Sequence, residues 1–130
     1  MLTHGNWMTA LDAEREALRL RPDDVYLGIY PMGHVGILWG LAVLRAGESY
    51  VMMERFDRER YLGYAEQYDV TVLAGMPPVI HSLVHSPTGT ENHLARARLI
   101  ISGRGQILPT VWEAFDRLYH IPRRQFVWVI

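Results

Sequence analysis

Val25-Tyr26-Leu27-Gly28-Ile29-Tyr30-Pro31-Met32-Gly33-His34-Val35-Gly36 decides the fold of this chain. An apolar run with strand propensity meets a proline, then a glycine-rich corner with one histidine, then the apolar segment 37–44. That succession reads as a strand, a turn and a buried helix. In open α/β sheets the turns at the carboxyl ends of the strands are where ligands bind. His34 puts a single titratable group into such a corner.

Outward from this corner, helix and strand patterns alternate. A helix is expected over 7–20, with Asn6 as N-cap, and Pro22-Asp23-Asp24 breaks it. A strand follows over 25–30. The segment 35–44 is apolar on nearly all sides, so a buried helix is expected there, closed by Gly47. A second strand runs over 49–53. Asp57 caps a helix to about Tyr68, with Tyr61, Leu62, Ala65 and Tyr68 as its apolar stripe. A third strand occupies 70–74. Pro77 opens a helix with Val79, Ile80, Leu83 and Val84 on one face. A loop, Ser86-Pro87-Thr88-Gly89-Thr90, precedes a fourth strand over 99–101. Pro109 opens a helix whose Val111, Trp112, Phe115, Leu118 and Tyr119 repeat at helical spacing. A fifth strand is expected over 126–130. A helix separates each pair of strands, so the expected fold is α/β: a mostly parallel sheet of at least four strands, joined by right-handed crossovers, with helices on both faces. Trp39, Leu41, Ile100, Trp112 and Phe115 are expected in its core. The run Phe126-Val127-Trp128-Val129-Ile130 normally leads into another element and suggests a chain cut from something larger. In isolation such a run favours self-association.

The 130 residues amount to one domain, and 13 basic against 14 acidic side chains give a formal charge of −1. Nothing in that balance points to nucleic acid. A hydrophobic share of 49% supports a real core. Cysteine is absent, which excludes disulfides and thiolate metal sites. The longest apolar run, 37–44, is too short to span a membrane. Residues 1–6 lack the basic and apolar regions of a signal peptide, and a cytoplasmic location is expected.

Several chemistries fit poorly. No G-x-S-x-G elbow occurs. Gly103-Arg104-Gly105 begins like a dinucleotide fingerprint, but Leu108 stands at the third glycine position and no acid follows at the required distance. The third strand ends in Gly75 without an aspartate, against a response regulator. His81 and His85 have the i, i+4 spacing that can hold zinc. Ser82 replaces the glutamate of the protease motif and no third ligand is in evident reach, so they read as surface histidines and no metal site is expected. The acids Glu48, Glu54, Asp57 and Glu59 read as caps and solvated charges.

Five segments together resemble the adenylate-forming superfamily of acyl- and aryl-CoA synthetases, luciferases and peptide-synthetase adenylation domains. Met1-Leu2-Thr3-His4-Gly5-Asn6 is similar to the segment after that family's phosphate loop. The stretch from Asp24-Val25 to Gly36 resembles its "DVxLxxxPMFHxxG" pattern, and Met53-Glu54-Arg55-Phe56-Asp57 its "M-x-R-F-D" turn. Tyr68-Asp69-Val70-Thr71 to Pro77-Pro78 resembles "YxVTxxxxVPP", and Leu99-Ile100-Ile101-Ser102-Gly103 resembles "IxSGGAPL". The resemblance covers residues 1–130, as a single α/β fragment of the family's large N-terminal domain. It implies a parent ligase that activates a carboxylic acid with ATP and Mg as an acyl-adenylate and transfers the acyl group to CoA. The family's phosphate loop would precede Met1 and its "YGxTE" motif would follow Ile130. The resemblance therefore implies a fragment with no catalytic residue of its own, inactive alone and holding none of these cofactors tightly.

The same resemblance implies an acyl pocket bordered by Met32, Gly33, His34, Val35, Gly36, Met76 and Pro77, with His34 as a gate at its carboxylate end. From the residues alone, an imidazole at this corner can equally donate to an acid's oxygen or cap local backbone. Ser102, Gly103, Arg104 and Gly105 would form the nucleotide side. Arg104 sets a long cation where the family keeps a small residue. Met52, Met53 and Met76, with Pro77 and Pro78, read as core by periodicity, and the resemblance implies that some of them line the acyl tunnel. The alternative is a free-standing α/β binding or interaction module without catalytic activity.

Overall fold

The computed structural model describes residues 2–87, 89–103, 105–121 and, as backbone, 123–125. Five parallel strands, β1 (Val25–Gly28), β2 (Ser49–Met52), β3 (Val72–Ala74), β4 (Leu99–Ser102) and β5 (Arg123–Gln125), form one sheet in the order β2-β1-β3-β4-β5. The helices are α1 (His4–Leu18), α2 (Val35–Arg45), α3 (Arg58–Gln67), α4 (Pro77–Val84) and α5 (Pro109–Tyr119), with a short 3-10 helix at Thr90–Leu94.

The order dictates the layers. The chain moves one way from β1 to β2 and back across β1 to β3, so right-handed crossovers put α2 and α3 on opposite faces. Movement then continues in one direction, which keeps α4 and α5 on the side of α3. The packing agrees: α1 lies on α2, while α3, α4, α5 and the 3-10 helix contact one another. Tyr26, Leu27, Val72, Leu73, Ile100 and Ile101 are all essentially inaccessible. Strands covered on both faces must be apolar in succession, which is why these runs do not alternate.

Local chemistry sets the helix ends. Thr3, not Asn6, caps α1. The Thr3 side chain accepts from the Asn6 N–H at 3.1 Å while Asn6 Oδ1 accepts from the Thr3 N–H at 3.0 Å. This reciprocal box starts the helix three residues before the expected position. Asp57 caps α3 as expected, accepting from the Arg60 N–H at 2.9 Å. Proline opens α4 and α5, where a missing N–H costs nothing.

Some expectations shift. Trp39, Ile100, Trp112 and Phe115 are buried, whereas Leu41 is only half-buried. The helix α2 covers the sheet with Gly36, Trp39, Gly40 and Val43, leaving Leu44 56% exposed. An all-apolar sequence hides which face of a helix is covered. Strand β1 ends two residues early, at Gly28, and β3 begins at Val72 because the Val70 N–H closes α3 onto the Ala65 carbonyl. The last strand among the described residues is Arg123–Gln125, and the expected strand over 126–130 lies outside them.

At the amino ends of the strands sits a charged cluster. Asp24, 3% exposed, accepts from Arg98 Nε at 2.7 Å, from Arg98 Nη2, from Thr71 Oγ1 at 2.8 Å and from the Arg21 N–H at 2.8 Å. Arg98 Nη2 also donates to the Arg19 carbonyl at 3.1 Å, where Arg19 ends α1 in the left-handed region. Four charge-assisted bonds hold the Asp24 carboxyl below the usual range in spite of its burial. Glu48, directly before β2, is 5% exposed, and neither carboxyl oxygen finds a partner among the described residues.

Candidate functional site

The opposite edge of the sheet, at the carboxyl ends of the strands, carries the corner that opened the sequence. The strand order reverses between β1 and β3, the place where open α/β sheets form a crevice. After β1 the chain leaves the ladder through Ile29 and Tyr30, both buried. The Pro31 carbonyl then accepts from both the His34 N–H at 3.1 Å and the Gly36 N–H at 3.0 Å. This turn brings α2 so close that a Cβ on Gly36 would stand 2.6 Å from the Pro31 carbonyl oxygen. Only glycine permits that approach. Gly36→Ala should therefore destabilise the chain by about 1–3 kcal/mol. Urea denaturation checks this, and a midpoint equal to that of the parent would refute the tight-approach argument.

The turns converge. The Tyr30 hydroxyl donates to the Ile101 carbonyl at 3.3 Å, and the Gly75 N–H donates to the same oxygen at 2.8 Å. One carbonyl of β4 thus fastens the segments that leave β1 and β3. Gly105, beyond β4, lies against Pro77: a Cβ there would meet the Pro77 ring at 3.3 Å. His34 is exposed at the N-cap position of α2 and makes no side-chain cap bond. Met32 and Val35 are half-buried, Gly33 is open and Gly36 is buried. Met76 and Pro77 are half-buried, with Met76 packed on the core. Ser102 is inaccessible and its hydroxyl has no partner among the described residues. Gly103 is buried and Gly105 open, while Arg104 lies outside the described residues.

Beside the turn runs a groove. One part, about 390 Å³, is lined by Tyr30, Pro31, Met32, Met52, Met53 and Glu54. A second part, about 350 Å³, shares Met52, Met53 and Glu54 and adds Arg55, Arg60 and Tyr64. Of the two methionines, Met53 is core at 6% exposure, while Met52 is 57% exposed and faces the groove. Tyr50 buttresses the floor. It fills the space beside Gly28 and Gly40, where added Cβ atoms would come within 2.6 Å of its hydroxyl and 2.8 Å of its ring, and its hydroxyl reaches Met32 Sδ at 3.5 Å.

The groove is mainly apolar where Tyr30, Pro31 and Met32 line it and carries charge, Arg55 and Arg60 beside Glu54, toward α3. Sequence reasoning placed the turns after β1, β3 and β4 at this edge but did not add the turn after β2. Parallel pairing alone would have brought Met52, Glu54 and Arg55 there.

A family profile described as "AMP-binding enzyme" matches residues 1–127. The chain is 35% identical over 109 residues to "4-coumarate--CoA ligase 5" of Oryza sativa subsp. japonica, a match that covers 79% of this chain and 20% of that protein. In structure it is similar to ATP-bound MatB from Rhodopseudomonas palustris, with 26% identity and a TM-score of 0.84 over 97% of this chain and 25% of that one. A malonyl-CoA ligase in a product complex with methylmalonyl-CoA and AMP matches at 26% identity and a TM-score of 0.82, over 95% of this chain and 28% of that one. The chain spans about a fifth of the length of the curated relatives it matches.

Proposed function

The chain belongs to the AMP-binding enzyme family, and on that premise we propose that it supplies the acid-side sheet edge of an ATP-dependent acyl- or aryl-CoA ligase. In that reaction a carboxylate oxygen attacks the α-phosphorus of ATP and pyrophosphate leaves. The CoA sulfur then attacks the acyl carbonyl and AMP leaves. The observation that supports this reading is the convergence of three strand-end turns at one sheet edge, the first of which lines an apolar groove with Tyr30, Pro31 and Met32 and carries an exposed His34. His34 borders the carboxylate end of the acid. Met32, Met76 and Pro77 supply apolar wall, while Gly33, Val35 and Gly36 hold the turn. Of the loop Ser102, Gly103, Arg104 and Gly105, assigned to the nucleotide side, Gly105 is open while Ser102 and Gly103 are buried and hold the loop; Arg104 lies outside the described residues.

Mg, which the family implies alongside ATP, finds no group of three or more His, Asp or Glu side chains among the described residues. These residues do not fit it as a cage. No described helix is long and apolar enough to cross a membrane.

The reading is tested with acid-dependent ATP–pyrophosphate exchange. The 130-residue chain alone should show none. In a full-length ligase containing this segment, His34→Ala should slow acyl activation or transfer by roughly tenfold or more, with an unchanged melting midpoint. Exchange at enzymatic rates by the short chain, or an unaltered His34→Ala enzyme, would defeat the assignment.

A further inference from the structure

Three thioethers border the groove, and the fold treats each differently. Met53 is core at 6% exposure. Met32 is half-buried, and its sulfur accepts from the Tyr50 hydroxyl at 3.5 Å. Met52 ends β2, lines both parts of the groove and is more exposed than any other methionine among the described residues. Successive side chains of an extended chain point opposite ways, so Met53 enters the core and Met52 stands out of it. Cysteine is absent, which leaves methionine as the sulfur of this chain that meets an oxidant.

We propose that Met52 is a modification site at which a hydroperoxide switches the groove from apolar to polar. The Met52 sulfur lone pair attacks a peroxide oxygen, the O–O bond breaks and an S–O bond forms. Sulfur gives up two electrons. The proton of the transferred oxygen passes to the leaving oxygen, and hydrogen peroxide departs as water. The product is a sulfoxide, polar and chiral where the thioether was apolar.

The surroundings of Met52 make that change consequential. Arg55, Arg60 and Tyr64 line the part of the groove that Met52 shares with α3. A thioether sulfur is a weak acceptor for such donors, whereas a sulfoxide oxygen is a strong one. Oxidation therefore sets a hydrated, hydrogen-bonding group into a floor otherwise built from methionine side chains. Met8, on α1, is also exposed but lines neither part of the groove, so its oxidation carries no such effect. The consequence for catalysis rests on the ligase reading above, with the apolar body of the acid in this groove.

Hydrogen peroxide and tandem mass spectrometry test the site in the 130-residue chain. Met52 should convert about tenfold faster than Met53, with Met32 between them. In a full-length ligase containing this segment, conversion of Met52 should raise KM for the acid roughly tenfold at unchanged kcat. Methionine sulfoxide reductases for both epimers should restore it. Met52→Leu keeps an apolar floor without the sulfur and should hold its KM under peroxide. Met52→Gln should show the raised KM without peroxide. Position 52 is exposed, so both variants should melt with the parent. Equal conversion of Met52 and Met53, an unchanged KM after full conversion, an equal rise in Met52→Leu, or a parental KM in Met52→Gln would each overturn the switch. His34→Ala in untreated enzyme reports on the ligase reading separately. A slowed His34→Ala enzyme beside an unchanged KM after oxidation overturns the switch alone.

Discussion

Asp24→Ala is expected to lower the unfolding free energy by about 3–5 kcal/mol. The carboxylate lies almost wholly out of water, and four donors from three separate segments end on it. Its removal leaves the Arg98 guanidinium, the Thr71 hydroxyl and the Arg21 N–H without their acceptor. The last two sit at the entrances to β1 and β3, where Thr71 Oγ1 also accepts from the Val25 N–H at 3.0 Å. A contrast is built into the molecule. Asp12 pairs with Arg45 at 2.7 Å, but both side chains are about one-third exposed, and Asp12→Ala should barely move the unfolding curve. Glu48 is close enough to feel both Asp24 and Arg98. In Asp24→Ala it can ionise and recover part of the lost pairing, so adding Glu48→Gln to that variant should destabilise it further. Urea denaturation at pH 7 measures all four chains. A loss for Asp24→Ala no larger than that for Asp12→Ala would show that the cluster does not anchor the sheet.

The second large effect is a stability that declines with rising pH. Burial, joined by the charge of Asp24 and opposed by that of Arg98, pushes Glu48 from the ordinary 4.5 to about 8. Burial alone pushes Glu14 on α1 from 4.5 to about 7. Both groups hold a proton in the folded chain that the unfolded chain releases. Their contribution is complete below pH 4.5 and is lost as pH rises from there through about 7 and 8. Asp24 works in the other direction, since its lowered value withdraws stability only as pH falls below the ordinary 3.8. The chain should therefore be more stable near pH 5 than near pH 8.5. At about 1.4 kcal/mol per pH unit, the displacement of Glu48 sets a ceiling of about 5 kcal/mol. Relaxation and water entry bring the measurable part to roughly 2 kcal/mol. Glu48→Gln should gain that amount at pH 8.5 and almost nothing at pH 4.5. Thermal melts across this range decide the matter: a flat profile in the parent, or a Glu48→Gln chain with an unchanged slope, would contradict the burial argument.

The architecture was legible because strand and helix patterns alternate and parallel pairing leaves few topologies. The corner at His34 was readable for the same reason, since Pro31, Gly33 and Gly36 can serve little else between a strand and a helix. Other features depend on contacts between segments distant in sequence. Asn6 is a good cap in isolation, but the reciprocal bond with Thr3 makes it the third residue of the helix. Leu41 and Leu44 resemble Trp39 and Val43 in polarity, and only the placement of α2 on the sheet separates covered from open positions. Glu48 reads as a solvated charge, yet the entrance to β2 encloses it. The groove residues Arg60 and Tyr64, on α3, carry no local motif that marks them as part of the groove.

Tyr50 fills the room left by two side chains that glycine lacks. Bulk at position 50 and its absence at 28 and 40 are accordingly one steric unit spread over three positions. A lineage that enlarges either glycine must first shrink the tyrosine, and the smaller residue deepens the floor under Met32. The depth of the groove beneath Met32 is thus tied to both glycines, and reshaping that floor takes paired substitutions rather than a single one.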